Sequence, residues 1–360
     1  MSGTACARLL LALAAAPPFA RAAEPVRAEE LALRIVLPFD AREVAALQQA
    51  WNGRAAEWGA QARFTRLLEP TRSDLAGDTL LLGFEEGRVQ ALVAQGLLAG
   101  APVPFARESW APAWSVADRA DVAACTSYRS LSEGAFSGRI RLRRPTADST
   151  EGLLLGVVAA TLGMDDDEWL RTLVLASDDA GTLLPAGRSY RELLRALPAG
   201  GLLLAPVRAA AAVQREGAPL EWGRPEEGFV AFTLAAAPSR EASEPVRDWF
   251  ARRFLADVAP QLRATIELEP LGEATAAAPA WQQRVAAAPL PFDRAAAEAL
   301  RRRIVPLYGA AEAAVGGSAV DVAELLIDGA LLTAALLFVL VVARRMGGRN
   351  DRDPRDGAVV

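Results

Sequence analysis

The stretch GRIRLRRP, residues 138–145, carries four arginines whose spacing could support anion binding. Alternate residues of a β-strand point to the same face of a sheet, so this spacing would align guanidinium groups in a row. A run of like charge is more often a solvated strand face than a site, and we favour that interpretation. The arginines are Arg139, Arg141, Arg143 and Arg144.

A second group of residues, Asp165, Asp166 and Asp167, could suggest calcium binding. The EF-hand pattern requires acids at alternate positions, a glycine and a distal glutamate, and that spacing is missing. Carboxylates are stabilising in the first turn of a helix. The triplet therefore predicts the start of a helix over 165–177, and we expect no metal site.

Two missing residue types exclude most familiar enzyme mechanisms. The chain has no histidine, and all 39 of its basic side chains are arginine, so it has no lysine either. Ser-His-Asp and Cys-His pairs, H-E-x-x-H zinc sites, P-loops and Schiff bases are thereby excluded. Carboxylate chemistry remains, but no spacing supports a glycosidase pair. We expect a protein that is not an enzyme and has no cofactor.

The elements that must position any site follow an α/β pattern. From Leu31 onward, short apolar runs alternate with amphipathic stretches. The region 103–138 is less periodic, and we assign no element to it. Strands are predicted at 31–40, 62–68, 79–84, 138–145 and 202–207, with two more within 218–237, and helices at 41–58, 85–98, 147–163, 165–177, 188–201, 208–217, 244–262 and 293–308.

The N-terminus has the features of a secretion signal. Arg8 precedes an apolar run over 9–19, and Ala20-Arg21-Ala22 forms an A-x-A cleavage site. We expect residues 1–22 to be a signal peptide that directs export. Removal of the signal would leave Cys125 as the one cysteine of the mature chain, which excludes an intrachain disulfide.

A second apolar segment lies near the C-terminus. Residues 329–343 carry no charge, and Leu325-Leu326-Ile327 extends the run to the length that a membrane-spanning helix needs. Five arginines follow, so the positive-inside rule predicts a transmembrane helix over 325–343 and a cytoplasmic tail over 344–360. The predicted location is the periplasm, with an anchor in the inner membrane. The alternative is an apolar helix docked on the globular domain.

Four phrases, in order, carry a family resemblance over about residues 31–258. The phrases are VAQGLLAGAP (93–102), SYRSLSEGAFSGRIRLRRPTADSTEG (127–152), GAPLEWGRPEEG (217–228) and VRDWFARRFLADV (246–258). The chain resembles the bacterial periplasmic solute-binding proteins for iron, thiamine, polyamines and phosphonates, which serve ABC transporters. Tyr128 stands where the family has tryptophan, and Ser149-Thr150-Glu151 stands where it has S-G-T. With three tyrosines and no histidine, a ferric-iron clamp is not expected.

The resemblance implies a two-lobed α/β fold of the periplasmic-binding-protein type, similar to type II, with a ligand held between the lobes. The solute-binding domain would cover 23–320. Lobe 1 would comprise about 30–115 with 228–308, and lobe 2 about 116–227.

The ligand would then lie at strand ends and helix starts, where backbone N–H groups are unpaired. The candidate loops are 38–40, 83–85, 149–151, 189–190 and 226–228. Four of the five carry a carboxylate, which favours a cation such as a polyamine or a thiamine-like molecule. Trp110, Trp114 and Trp222 would offer cation-π faces. The alternative is that these polar residues only cap helices. The candidate ligand residues are Asp40, Glu85, Ser149, Thr150, Glu151, Ser189, Tyr190 and Glu227.

The function that follows is a membrane-tethered receptor that captures a small polar solute for an ABC-type transporter. The expected partners are the solute, the membrane, and an ABC permease or a sensor kinase. No nucleic-acid partner is expected, because the net charge is −5 and no basic block lies outside the tail. The alternative is a ligand-free or ligand-sensing accessory subunit of a membrane sensor or transporter.

Overall fold

The computed structural model of the chain describes residues 31–116, 127–132, 140–143, 145–146, 149–163, 183–184, 188–272, 274, 276–287 and 289–308. The predicted signal peptide, the helix over 165–177, the transmembrane helix over 325–343 and the tail lie outside the described residues. Within those ranges, no helix has both the length and the apolar character that crossing a membrane requires.

The regular elements alternate along the chain as the sequence predicts. In the described residues the strands are β1 (Leu31–Leu37), β2 (Ala60–Arg66), β3 (Thr79–Glu85), β4 (Val103–Ser115), β5 (Ile140–Arg143), β6 (Leu183–Leu184), β7 (Leu202–Pro206), β8 (Leu220–Trp222) and β9 (Val230–Pro238). The helices are α1 (Ala41–Asn52), α2 (Ala55–Trp58), α3 (Glu86–Ala94), α4 (Thr150–Thr161), α5 (Tyr190–Arg195), α6 (Val207–Arg215), α7 (Glu244–Trp249), α8 (Ala259–Thr265), α9 (Ala280–Ala286) and α10 (294–308). Short 3₁₀ turns cover Arg72–Leu75 and Arg129–Ser132.

These elements confirm the predicted α/β order and add β4, β6 and α9, which lie where no element was predicted. The region that received no assignment begins with β4, a strand of 13 residues. Its apolar and polar residues do not alternate, since all seven residues from Ser109 to Ser115 are buried. A strand with both faces covered loses the period of two on which strand prediction depends.

The chain divides into two compact units. Among the described residues, unit 1 comprises those within 31–108 and 232–278, and unit 2 those within 109–231 and 279–308. The predicted lobes differ from these units at the C-terminal end, because residues 279–308 belong to unit 2 rather than to lobe 1. The strands β4 and β9 each begin in one unit and end in the other.

In unit 1, a sheet is built around β1. β1 pairs in parallel with β2 and β3, and β3 pairs antiparallel with β9. The β3–β9 register shifts between Leu82 and Phe84, where Gly83 has φ +80°. A Cβ at Gly83 would overlap the ring of Phe39. Glycine is required there both by the backbone angle and by the neighbouring ring.

The core of unit 1 is aromatic. Trp51, fully buried on α1, contacts Trp58, Phe64 and Trp249 with ring centroids 4.8, 5.6 and 5.9 Å apart. The helix predicted over 41–58 is observed as α1 and α2, and both of its tryptophans are buried. The segment Phe250–Val258 joins α7 to α8 as a π-helix. Pro260 follows it and lacks the N–H that a regular α-helix would use.

In unit 2, strands and helices again pack in layers. β7 pairs antiparallel with β4 and in parallel with β5, which pairs in parallel with β6, while β8 pairs with β4. A Cβ at Gly156 of α4 would overlap the carbonyl oxygen of Ala297 on α10. This close approach of two helices explains why 294–308 belongs to unit 2, since only glycine allows backbones to meet at this distance.

Candidate functional site

Asp40, the first candidate ligand residue, caps α1 in unit 1. Its carboxylate accepts a hydrogen bond from the backbone N–H of Glu43 at 2.8 Å, and the Glu43 side chain accepts one from the N–H of Asp40 at 3.0 Å. This reciprocal pair is a capping box, which satisfies two amides that a helix start leaves without partners. The structure thus gives Asp40 the capping role that the sequence left open beside ligand binding.

Glu85, the second candidate in unit 1, caps α3 in a similar way. Its carboxylate accepts from the N–H groups of Gly87 and Arg88 at 3.1 and 3.2 Å, and the residue is buried. A buried carboxylate is stable when several donors satisfy it. Glu85 is the last residue of β3 and leads directly into α3, which places it at a strand end as predicted.

Ser149 and Thr150 lie at the start of α4 in unit 2. Ser149 is the N-cap residue, and its hydroxyl accepts from the N–H of Gly152 at 3.1 Å. Thr150, one position further, is half-buried, and its hydroxyl makes no hydrogen bond within the part of the chain that the structure describes. Of the two predicted caps, Ser149 is therefore the one that caps the helix.

Glu151, in the same turn, belongs to a side-chain cluster with Arg143 of β5 and Tyr190 of α5. Arg143 Nη1 lies 3.4 Å from Glu151 Oε1, and the Tyr190 hydroxyl donates to the same oxygen at 2.5 Å. The guanidinium carbon of Arg143 lies 4.8 Å from the Tyr190 ring centroid, in cation-π geometry. Arg143 Nη2 also donates to the carbonyl of Arg188. We call Arg143, Glu151 and Tyr190 the Arg143 cluster.

The Arg143 cluster corrects the prediction of a solvated strand face. The side chains of Arg143 and Glu151 are only 13% and 14% exposed, because the first turn of α4 and the Tyr190 ring cover this side of β5. Arg141, two residues earlier on β5, has its pKa lowered by burial, and its Nη1 is shielded from solvent. Arg139 and Arg144 lie outside the described residues.

Ser189 and Tyr190 begin α5 with different roles. Ser189 forms a capping box with Glu192, whose N–H donates to the serine hydroxyl at 3.2 Å. The Tyr190 ring packs edge-on against Trp110 of β4, with centroids 5.1 Å apart. Tyr190 thereby connects the strand β4 to the Arg143 cluster, a contact that no pattern in the sequence predicts.

Glu227, the last candidate, lies in the turn before β9 and is hydrogen-bonded to the segment at 127–129. Its carboxylate accepts from the Ser127 hydroxyl at 2.5 Å and from the N–H of Tyr128 at 3.1 Å. Partial burial raises the pKa of Glu227, but hydrogen bonds led by that from Ser127 outweigh burial and hold the pKa below 4.5. Glu227 is therefore a carboxylate at neutral pH, and its donors come from this chain.

The three tryptophans that could face a cation are buried. Trp110, Trp114 and Trp222 are 2%, 8% and 7% exposed. The guanidinium carbon of Arg284 lies 4.1 Å from the ring centroid of Trp222, so this cation-π site already holds a cation of the protein itself. The prediction that Trp222 offers an open face is therefore corrected.

The cavities described in unit 1 lie away from Asp40 and Glu85. One, of about 310 Å³, is lined by residues that include Arg72, Ser239 and Arg240, and another, of about 610 Å³, by residues that include Arg34 and Arg63. Within the described residues, no group of three acidic or cysteine side chains is placed to hold a metal ion.

In sum, six candidate residues lie in unit 2 and two in unit 1. Glu151 and Tyr190 are hydrogen-bonded to each other. Glu227 accepts a hydrogen bond from the N–H of Tyr128, and the Tyr128 hydroxyl donates to the carbonyl of Trp110 at 3.2 Å. The Trp110 ring in turn contacts Tyr190. Sequence reasoning missed Arg143, Ser127 and Trp110 as members of this network. The alternation of arginines in β5 was the one signal that could have indicated Arg143.

No protein-family model and no curated protein matches the sequence. Solved structures do match the fold. A periplasmic thiamin-binding protein is 16% identical, with a TM-score of 0.59 over 78% of this chain and 96% of its own. Iron-bound HitA from Pseudomonas aeruginosa is 15% identical, with a TM-score of 0.55 over 76% of this chain and 99% of its own.

A Bordetella ferric-binding protein is 12% identical, with a TM-score of 0.52 over 78% of this chain and 98% of its own. At such identities the likeness establishes the fold. The chain therefore has the α/β fold of periplasmic solute-binding proteins, as the resemblance of the four phrases implied.

Proposed function

We propose that this protein is an extracytoplasmic solute-binding protein that captures a small polar solute for an ABC-type transporter and performs no catalysis. The observation that carries the proposal is the extent of the fold similarity. It covers 96% of the thiamin-binding protein and 98–99% of the two iron-binding proteins, so the whole of each binding protein has a counterpart here. The absence of histidine and lysine from the sequence also favours binding over catalysis.

A ferric-iron solute receives no support from the tyrosines. Tyr128 and Tyr308 are buried, and the Tyr128 hydroxyl donates to a backbone carbonyl. The Tyr190 hydroxyl donates to Glu151. Since phenolate oxygens must be free to bind Fe³⁺, we propose an organic solute with polar groups instead, of the size of thiamine or a polyamine.

Thr150 is the candidate residue best suited to contact this solute. Its hydroxyl lies in the first turn of α4, and in the described part of the chain no other group occupies it. Asp40, Glu85, Ser149 and Ser189 cap helices, and Glu151, Tyr190 and Glu227 bind side chains or backbone of this protein. A ligand role for those seven residues remains a prediction. It requires that the solute either shares the hydrogen bonds that these side chains already make or replaces their present partners.

We further propose that the protein is exported and held at the inner membrane. The signal over 1–22 and the apolar segment over 325–343, followed by arginines, support this arrangement. A tether raises the effective concentration of the binding domain near a permease or a sensor kinase.

A second candidate function is an accessory subunit that keeps the fold but binds no solute. The Arg143 cluster favours it, because a guanidinium, a phenol and a carboxylate that could meet a ligand are bound to each other. This subunit would recognise a membrane protein rather than a small molecule.

Thermal unfolding of the purified full-length chain separates these two functions. The panel comprises thiamine compounds, polyamines, phosphonates, sugar phosphates and ferric citrate. A solute present at a hundred times its Kd stabilises the folded state by about 2.7 kcal/mol, which raises the melting temperature measurably. A folded protein that no compound stabilises would contradict the receptor and favour the accessory subunit.

A pair of threonine variants tests the placement of the solute once the panel has identified it. Thr150→Ala removes the unoccupied hydroxyl, and we expect it to weaken solute binding at least threefold without lowering the melting temperature. Thr161→Ala, at the exposed C-terminal end of the same helix, is the matched control. Equal affinities for both variants would contradict a contact at Thr150.

Fractionation of the expressing cells tests the tether. The full chain should sediment with membranes, and a chain that ends at residue 320 should be released with the periplasmic fraction. Recovery of the full chain in the periplasmic fraction would overturn the anchor while leaving the receptor function intact.

A further inference from the structure

The Arg143 cluster holds an arginine whose donors face inward. Nη1 of Arg143 is directed to Glu151 Oε1, Nη2 donates to the carbonyl of Arg188, and the guanidinium lies over the Tyr190 ring. An arginine that lies next to a helix start and beside a phenol provides hydrogen-bond donors that suit a phosphate or carboxylate. In this protein the anion that fills the set is the side chain of Glu151.

Glu151 gains from this position in two ways. Its charge is compensated by Arg143, and it lies in the first turn of α4, where the helix dipole stabilises negative charge. An anionic solute would need the same donors of Arg143 and Tyr190. It would also meet the charge of Glu151 at a few ångströms in a partly buried place, where repulsion between like charges is strong.

We infer that Glu151 is a specificity-determining residue, an internal anion that occupies Arg143 and Tyr190 and so excludes anionic solutes from this part of unit 2. The inference rests on the proposed solute-binding function, and it names the solute class as neutral or cationic.

Removal of the Glu151 carboxylate should uncover an anion site. The probe is inorganic phosphate, and its binding to the full-length protein is measured by calorimetry for the wild type, Glu151→Ala and Glu151→Gln. We expect no measurable binding to the wild type and at least a tenfold gain in affinity for Glu151→Ala. Glu151→Gln keeps a hydrogen-bond acceptor for Tyr190 but removes the charge, so a smaller gain is expected.

Two further measurements keep the inference testable if one of the variants does not fold. The melting temperature of Glu151→Ala should rise with phosphate concentration, because phosphate would replace the lost anion, whereas that of the wild type should not. The double variant Glu151→Ala/Arg143→Ala should lose the gain. If Glu151→Ala does not fold, Glu151→Gln carries the comparison alone.

Wild-type binding of phosphate as tight as that of the variants would overturn the inference, as would folded Glu151 variants that gain none. Either result is distinct from a failure of the proposed function, which depends on whether any solute of the panel stabilises the wild type. A gain of phosphate binding in Glu151→Ala, lost again in the double variant, would support the inference even if no natural solute has been found.

Discussion

The carboxylates of unit 1 and those of unit 2 are held by groups that lie at different distances along the chain. Asp40 and Glu85 accept hydrogen bonds from backbone amides two or three residues away. Glu151 binds a tyrosine 39 residues away, and Glu227 binds a serine 100 residues away. Carboxylates of the first kind stabilise one helix start, whereas those of the second kind join separate segments of unit 2. Loss of the second kind should therefore cost more stability.

The largest effect is expected from Arg143→Ala. This change would leave the Glu151 carboxylate, 14% exposed, without its cation, and breaking a largely buried ion pair costs about 3 kcal/mol of unfolding free energy. Denaturant unfolding of the full-length chain measures the loss. The matched control in unit 1 is Arg34→Ala, because the Arg34 side chain is 38% exposed and its pair with Asp74, at 3.6 Å, should contribute below about 1 kcal/mol. Equal losses of unfolding free energy for Arg143→Ala and Arg34→Ala would contradict the expected difference between the two units.

An intermediate, pH-dependent effect is expected from Glu227→Gln. Its hydrogen bonds to a charged acceptor should contribute about 1–2 kcal/mol at pH 7. Because the folded-state pKa is depressed below the ordinary value of 4.5, this stability is fully present above pH 4.5. It is lost as the pH falls through the folded-state value.

Unfolding free energies of the wild type and Glu227→Gln, measured from pH 7 down to pH 3, test that dependence. The two curves should converge as the pH falls below 4.5. A difference that stays constant with pH would show that the charge of Glu227 contributes nothing, and that its contacts with Ser127 and Tyr128 act only as neutral hydrogen bonds.

The smallest effect is expected from Asp40→Ala, which removes the cap of α1. Loss of an N-cap typically costs about 1 kcal/mol, and Asp40→Asn should recover most of it because asparagine caps as well as aspartate. Thermal unfolding of the two variants provides the measurement. A loss of stability for Asp40→Ala as large as that for Arg143→Ala would contradict a role in capping alone. It would mean that Asp40 also binds residues outside its own helix start, with an effect as large as that of an ion pair.

Capping residues, core faces and the order of elements were determined by the sequence itself. Asp40, Ser149 and Ser189 each begin a helix that the apolar pattern predicts, and Trp51 and Trp58, within the helical range predicted over 41–58, are buried. These features depend on residues within a few positions of each other, so local propensity and periodicity are sufficient to predict them. The α/β fold class follows from the same patterns.

The tertiary structure alone decided what the polar side chains bind. Arg143 was predicted to face water, but strand pairing and the packing of α4 and α5 bring Glu151 and Tyr190 onto it. Ser127 reaches Glu227 across 100 residues, and α10 joins unit 2 through Gly156. Such contacts depend on strand register and helix packing over long separations, which a periodic pattern in one segment does not encode. For that reason the sequence predicted which residues begin helices, and the fold determined that Arg143 and Tyr190 bind Glu151.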